Sequence, residues 1–183
     1  MDNQPINKID NAISKQLFEL SVVIDELNFE SKFKFRITDS NPEFNFGDEE
    51  FSGIYLFEIK KRGHYKTFKE WSVAFTKKWE AKKYLKKHCP VIAKGRLKKH
   101  GQLDEWIPLY IGKSNNVYKR VDQHLNKELN STTYALKLMA RENLKEDEFR
   151  VSIIRFDIDN YDTIMPFIEN KMRERYNPII GKQ

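Results

Sequence analysis

Cysteine is almost absent from this chain: Cys89 is the only one in 183 residues. No internal disulfide can form, so a reducing compartment fits and a cytoplasmic protein is expected. Long apolar runs are missing as well. No stretch approaches the roughly 20 residues that a membrane helix needs. Asp2, Lys8, Asp10, Lys15 and Glu19 interrupt the first twenty residues, which argues against a secretory signal. No internal repeat is visible. Metal-binding spacings are lacking too. Cys89 with His64, His88 and His100 makes no zinc pattern. Asp157-Ile158-Asp159-Asn160-Tyr161-Asp162 lacks the glycine and the closing glutamate of a calcium loop. Aromatics are plentiful, with 13 Phe and 8 Tyr, and a third of the residues are charged. That composition is globular, and the length suits one domain or one domain with a sizeable insertion.

Acid is the scarce component between residues 60 and 100. That segment holds 15 Lys and Arg against only Glu70 and Glu80, whereas the whole chain has a formal net charge of +6. The rest of the chain is therefore net acidic. Charge segregated in this way points to a surface that faces a polyanion, most often nucleic acid.

The apolar pattern places the elements. Ile6, Ile9, Ile13, Leu17, Leu20, Ile24 and Leu27 step by three and four, which predicts a helix over residues 6–28 with Pro5 at its start. Packing of that stripe on the domain is expected, and pairing with a second copy is the alternative. Phe33, Phe35 and Ile37 alternate with Lys34 and Arg36 as in a half-exposed strand. Phe44, Phe46 and Phe51 punctuate a loop containing Gly47-Asp48-Glu49-Glu50. Gly53 to Ile59 reads as a central strand. Phe68, Trp71, Phe75 and Trp79 recur at helical spacing, with Ala81, Tyr84 and Leu85 extending the stripe toward His88 before Pro90 ends it. Residues 94–101 read as a basic loop or hairpin. Trp106 to Ile111 is a strand whose Pro108 favours its start or an edge. Asn115 or Asn116 caps a helix with Tyr118, Val121, Leu125 and Leu129 on its buried face. Ser131-Thr132-Thr133 caps another helix carrying Leu136, Leu138 and Met139. Phe149 to Phe156 is a further strand. Asn160 or Asp162 caps the last helix, with Ile164, Ile168 and Met172 inward. Strands and helices mix without regular alternation, so the fold class is α+β.

Breaking a phosphodiester needs a base for the attacking water, a cation for the phosphate charge and stabilisation of the leaving oxygen. Tyr110, Lys113, Arg120 and His124 crowd around one glycine turn, Tyr110-Ile111-Gly112. Arg120 and His124 lie four apart and share one helix face. Upstream stands Gly53-Ile54-Tyr55. The two tripeptides in this order, followed by that arginine and histidine and then by a helical Glu169 ahead of Pro178, resemble the signature of the GIY-YIG nucleases.

The resemblance implies a small antiparallel sheet flanked by helices, with a basic helical insertion between the two signature strands. The nuclease core would span 51–60 and 106–181. Residues 1–50 would be an N-terminal helix and strand extension, 61–105 a DNA-binding insertion, and 1–183 together a single domain. It implies that Tyr55, Tyr110, Lys113, Arg120, His124 and Glu169 form the catalytic site, with Glu169 holding one Mg²⁺ or Mn²⁺ and Glu174 in reserve. Arg120 would meet the scissile phosphate, and Tyr55 would accept the proton of the attacking water. Two departures stand out. Residues 56–109 separate the tyrosines by far more than a turn, and the asparagine that often follows the closing proline instead precedes it, as Asn177. The implied activity is Mg²⁺-dependent cleavage of double-stranded DNA, as in the family's type II restriction endonucleases. Repair or mobile-element nucleases and a non-catalytic DNA-binding protein are the alternatives. Lys60, Lys61, Arg62, Lys77, Lys78, Lys82, Lys83, Arg96, Lys98 and Lys99 are the expected DNA contacts. Arg62, Arg96, Lys98 and Gln102 are candidates for reading bases. A homodimer would suit a palindromic target, and no membrane association is expected.

Overall fold

The structure is a computed structural model that describes residues 3–38, 50–85 and 87–181. The expected loop with Phe44, Phe46 and Gly47-Asp48-Glu49 lies outside the described residues. Four strands, β1 (Glu30–Arg36), β2 (Ser52–Lys60), β3 (Trp106–Ser114) and β4 (Glu148–Phe156), form one sheet in the order β1-β4-β2-β3. All three pairings are antiparallel. Five helices accompany it: α1 (Gln4–Glu26), α2 (Phe68–Trp79), α3 (Lys94–Leu97), α4 (Val117–Asn126) and α5 (Tyr161–Tyr176). This is the expected α+β architecture.

β2 is central because both of its faces are apolar, and Gly53 through Ile59 are all buried. Tyr55, Phe57 and Ile59 point into the larger core, where Trp71 and Phe75 of α2 and Val121 and Leu125 of α4 meet them. Ile54 and Leu56 point the other way, onto Met165, Ile168 and Met172 of α5 and Ile24 of α1. β3 forms the sheet edge, and Pro108, which cannot donate to a ladder, sits on that edge. Its register with β2 slips between Phe57 and Glu58, so Leu109 is the extra residue of a bulge. The 45 residues between β2 and β3 leave these two strands paired directly, since a connection can be enlarged without moving the strands it joins.

The insertion returns to the sheet through the chain's last described residues. Ile179 N–H and Ile180 N–H donate to Pro108 O and Leu109 O, extending the sheet beyond β3. Ile92 bridges Ile180, and Ala93 N–H donates to Ile179 O. The segment around α3 is thereby fastened beside the C-terminal end of α5.

Several expectations need correction. The α1 stripe is largely uncovered: Ile6 is 67% exposed and Ile13 53%, and only Ile24 of this helix is buried. Only the end of α1 is anchored, where Arg175 of α5 donates to Asp25 O and Leu27 O. The aromatic helix stops at Trp79 and does not continue toward His88. Asn143 takes Lys78 O, and Arg141 takes Trp79 O while its guanidinium stacks 3.5 Å from the Trp79 ring. Those side chains satisfy the last carbonyls and end the helix there. Residues 94–97 form a single helical turn where a loop or hairpin was expected. No α-helix forms between Ser131 and β4; two short 3₁₀ turns, Leu138–Ala140 and Glu142–Leu144, occupy the region. Lys137 breaks it by adopting a left-handed backbone (φ 56°), and its Nζ donates to the carbonyls of Lys87, Leu129 and Ser131. On α4 the buried set is Val117, Val121, His124 and Leu125, while Tyr118 faces outward and Leu129 lies beyond the helix.

Candidate active site

The site begins with the strand register. Tyr55 of β2 sits opposite Gly112 of β3, and its ring lies across that glycine. A β-carbon at position 112 would collide with the Tyr55 hydroxyl, so the glycine is what lets the phenol cross the edge strand. Gly53 has a parallel reason: a β-carbon there would strike the carbonyl oxygen of Ile154 on β4. Both glycines of the paired tripeptides are thus explained by close approach, not by turn geometry.

α4 delivers the next two side chains. Asn116 caps it, its side-chain oxygen accepting from Lys119 N–H at 2.9 Å. Val117 N–H also donates to Phe51 O, which pins the start of α4 to the entry of β2. Two turns on, His124 is fully buried, and its Nε2 lies 3.0 Å from the Tyr55 hydroxyl. Leu136 N–H donates to His124 Nδ1 at 3.1 Å. That bond makes Nδ1 the acceptor, so the ring proton of the neutral imidazole resides on Nε2 and is donated to Tyr55 Oη. Burial, reinforced by the Arg120 charge, pushes His124 well below the usual histidine range, so the ring stays neutral.

Tyr55 and Tyr110 lie nearly parallel, with ring centroids 6.3 Å apart. Burial raises the pKa of both phenols and so opposes their ionisation, most strongly for Tyr55, where Tyr110 adds to the rise. The Arg120 guanidinium opposes that rise at both hydroxyls, and Glu169 adds to it. Arg120 itself is held by Gln123 Oε1 at 2.7 Å and Tyr134 O at 2.8 Å.

α5 closes the site from the other side of the sheet edge. Glu169 Oε1 accepts from Arg173 at 2.6 Å, and Arg173 also donates to Ile111 O of β3. Lys113 lies on the α5 face of β3, its Nζ 5.0 Å from the centre of the Tyr161 ring. Burial, with Glu169 and Asp162 contributing, pushes the Tyr161 phenol up to about 12. Tyr55, Tyr110, Arg120 and His124 therefore form one cluster, Glu169 of α5 is near enough to act on both phenols, and Lys113 stands apart at the Tyr161 ring. Three partners were not anticipated: Arg173, Tyr161 and the Leu136 backbone. The first could have been read from the i, i+4 spacing of Glu169 and Arg173. The other two depend on long-range packing.

Residues 103–178 match the GIY-YIG catalytic domain. The match spans 76 of the 183 residues, a likeness to the GIY-YIG superfamily that supports a nuclease function. The matched span runs from β3 to the end of α5 and carries Tyr110, Lys113, Arg120, His124 and Glu169. Gly53-Ile54-Tyr55 lies outside it, joined to it by the β2–β3 pairing. No curated protein and no solved structure matches the chain significantly. Among the described residues no helix is long and apolar enough to cross a membrane.

The basic side chains expected to face DNA separate into two kinds. Arg62 and Lys78 both contact the buried carboxylate of Asp147, at 2.7 and 3.1 Å. Lys83 pairs with Glu142, and Lys60 with Glu105 and Glu148. Lys61 donates to Leu103 O. Lys77, Lys82, Lys98 and Lys99 make no ion pair with the described residues, and Arg96 is part-buried beside α5.

Proposed function

We propose that this protein is a metal-dependent endonuclease that cuts double-stranded DNA as a type II restriction enzyme. The observation that carries the reading is the register of β2 on β3, which brings Tyr55 into one cluster with Tyr110, Arg120 and His124. GIY-YIG nucleases generally use divalent metals. Among the described residues no three acidic, histidine or cysteine side chains gather as a metal cage. Glu169 offers a single carboxylate, one oxygen of which is engaged by Arg173. Its other oxygen suits a hard cation that keeps most of its waters, as Mg²⁺ or Mn²⁺ does. Such a cation, when bound, supplies positive charge at the leaving oxygen.

The chain's own groups take the remaining tasks. Arg120 is fixed by Gln123 and the Tyr134 carbonyl, so its charge is oriented before a phosphate arrives. Tyr55 is the general base. Its oxygen already accepts the His124 proton, an arrangement that favours phenolate, while burial opposes ionisation. Only a small fraction is phenolate at neutral pH, so the cleavage rate rises about tenfold per pH unit between pH 7 and 9. Tyr55→Phe abolishes both the rate and its slope. A pH-independent wild-type rate would remove the base assignment. The insertion would clasp the duplex, and a homodimer through the exposed α1 stripe would bring two sites to a palindromic target.

Supercoiled plasmid and genomic DNA, with Mg²⁺ and with EDTA, beside Glu169→Ala, test the reading. Discrete fragments that need metal and Glu169 are expected. Nicking without discrete bands would shift the role to repair or mobile-element chemistry. DNA retention without cleavage under any divalent metal would reduce the protein to a binding module.

A further inference from the structure

A cavity of about 330 Å³ opens between α3 and the C-terminal half of α5, lined by Arg96, Lys99, Asn170, Arg173, Glu174 and Asn177. It exists only because the insertion is tied back by the Ile92–Ile180 bridge and by His100, whose Nε2 lies 2.8 Å from Asn177 O. Two features mark it as incomplete. Arg96 Nη1 is buried and has no hydrogen-bond partner, and the Asn177 side-chain oxygen is in the same condition. A buried, unpaired guanidinium nitrogen is costly unless something fills the gap. Arg96 also faces a like charge. Burial and then the neighbouring Arg173 both work against its protonated form. Arg173 is offset by Glu169, but Arg96 and Lys99 have no carboxylate partner among the described residues, and the carboxylate on the lining, Glu174, is exposed.

We propose that this cavity is a phosphate subsite, which, resting on the nuclease reading, takes a DNA backbone phosphate beside the one being cut. Arg173 sets that position: one guanidinium both lines the cavity and holds Glu169, so the subsite and the catalytic carboxylate share an anchor. A phosphate here accepts from Arg96 Nη1 and from Lys99. Rotation of the Asn177 amide by half a turn exchanges its oxygen for an N–H donor. The subsite contacts no base edge, so it adds affinity equally to every sequence.

The test is the salt dependence of binding to a 20-base-pair duplex in EDTA, measured for the wild type, Arg96→Gln and Arg96→Lys, with thermal melting as the control for folding. Arg96→Gln should lose about tenfold in affinity on any sequence, and its slope of log K against log salt should flatten by about 0.9. Arg96→Lys should restore the slope. Lys99→Gln, on the exposed rim, is the second variant should Arg96→Gln fail to fold, and the same flattening is expected from it. Unchanged affinity and slope in a folded variant would overturn the subsite while leaving the nuclease reading standing. Inorganic phosphate that stabilises the wild type but not Arg96→Gln, with DNA affinity unchanged, would also overturn it, by assigning the cavity to a free anion. A wild type that binds no duplex would remove the subsite together with the nuclease reading.

Discussion

The basic side chains of the insertion behave in two opposite ways, although the sequence presents them as one run. Lys60, Arg62 and Lys78 turn onto Glu146, Asp147 and Glu148 at the start of β4, and Lys83 meets Glu142 at the exposed surface. Arg96 and Lys99 sit at the other end, beside α5 and the Glu169–Arg173 pair, and Lys98 stands near the start of α2, all three without a carboxylate partner among the described residues. The first group fastens the insertion to the sheet. The second is left to bind. A charge count locates a polyanion surface only after the cations spent within the fold are subtracted.

Replacing Asp147 should break the first group most severely. Its buried carboxylate is contacted by Arg62 and Lys78, and Asp147→Ala leaves both cations facing the gap. With the partners about a third exposed and screened by solvent, a loss of about 2 kcal/mol is expected, read as a fall in Tm of about 4–8 °C. DNA affinity should not fall with it. Lys98→Gln with Lys99→Gln should do the reverse: about tenfold weaker duplex binding, a salt slope flatter by about 1.8, and an unchanged Tm.

Between the two groups lies one basic side chain that the fold keeps uncharged. His124 is held below its unfolded value, so below about pH 6.5 the unfolded chain binds a proton that the folded chain refuses. Stability is therefore full above pH 6.5 and falls by about 1 kcal/mol for each unit below it. Tm followed from pH 7.5 to 5.5 should show this, and His124→Asn should flatten the slope. The smallest effect belongs to Lys83. Both it and Glu142 are solvent-exposed, so Lys83→Gln should change neither Tm nor DNA affinity measurably.

Much of this was legible from local pattern. The apolar run from Ile54 to Ile59, the alternation in β1, the Asn116 cap and the four-residue spacing of Arg120 and His124 each act over a few residues, and the strands and α4 follow that pattern. What escaped the pattern was decided at long range. The end of α2 depends on Arg141 and Asn143, some sixty residues away. The expected helix after Ser131 fails because Lys137 finds three carbonyls that no periodicity announces. The α1 stripe is a correct helix signal, but amphipathicity states that a face wants cover and not what covers it. Within the site, the family resemblance supplied the candidate side chains, while the tautomer of His124 follows only from the Leu136 amide that folds onto it.

We propose that cutting resides in the cluster at the β2–β3 edge and that duplex binding resides elsewhere. Arg120→Ala, assayed for single-turnover cleavage and for duplex affinity on the same DNA, separates the two. Cleavage should fall by at least about 10³-fold, the scale of losing a preorganised charge in a dry site, while affinity changes by less than about fivefold. Cleavage retained within a few-fold of wild type would contradict the claim.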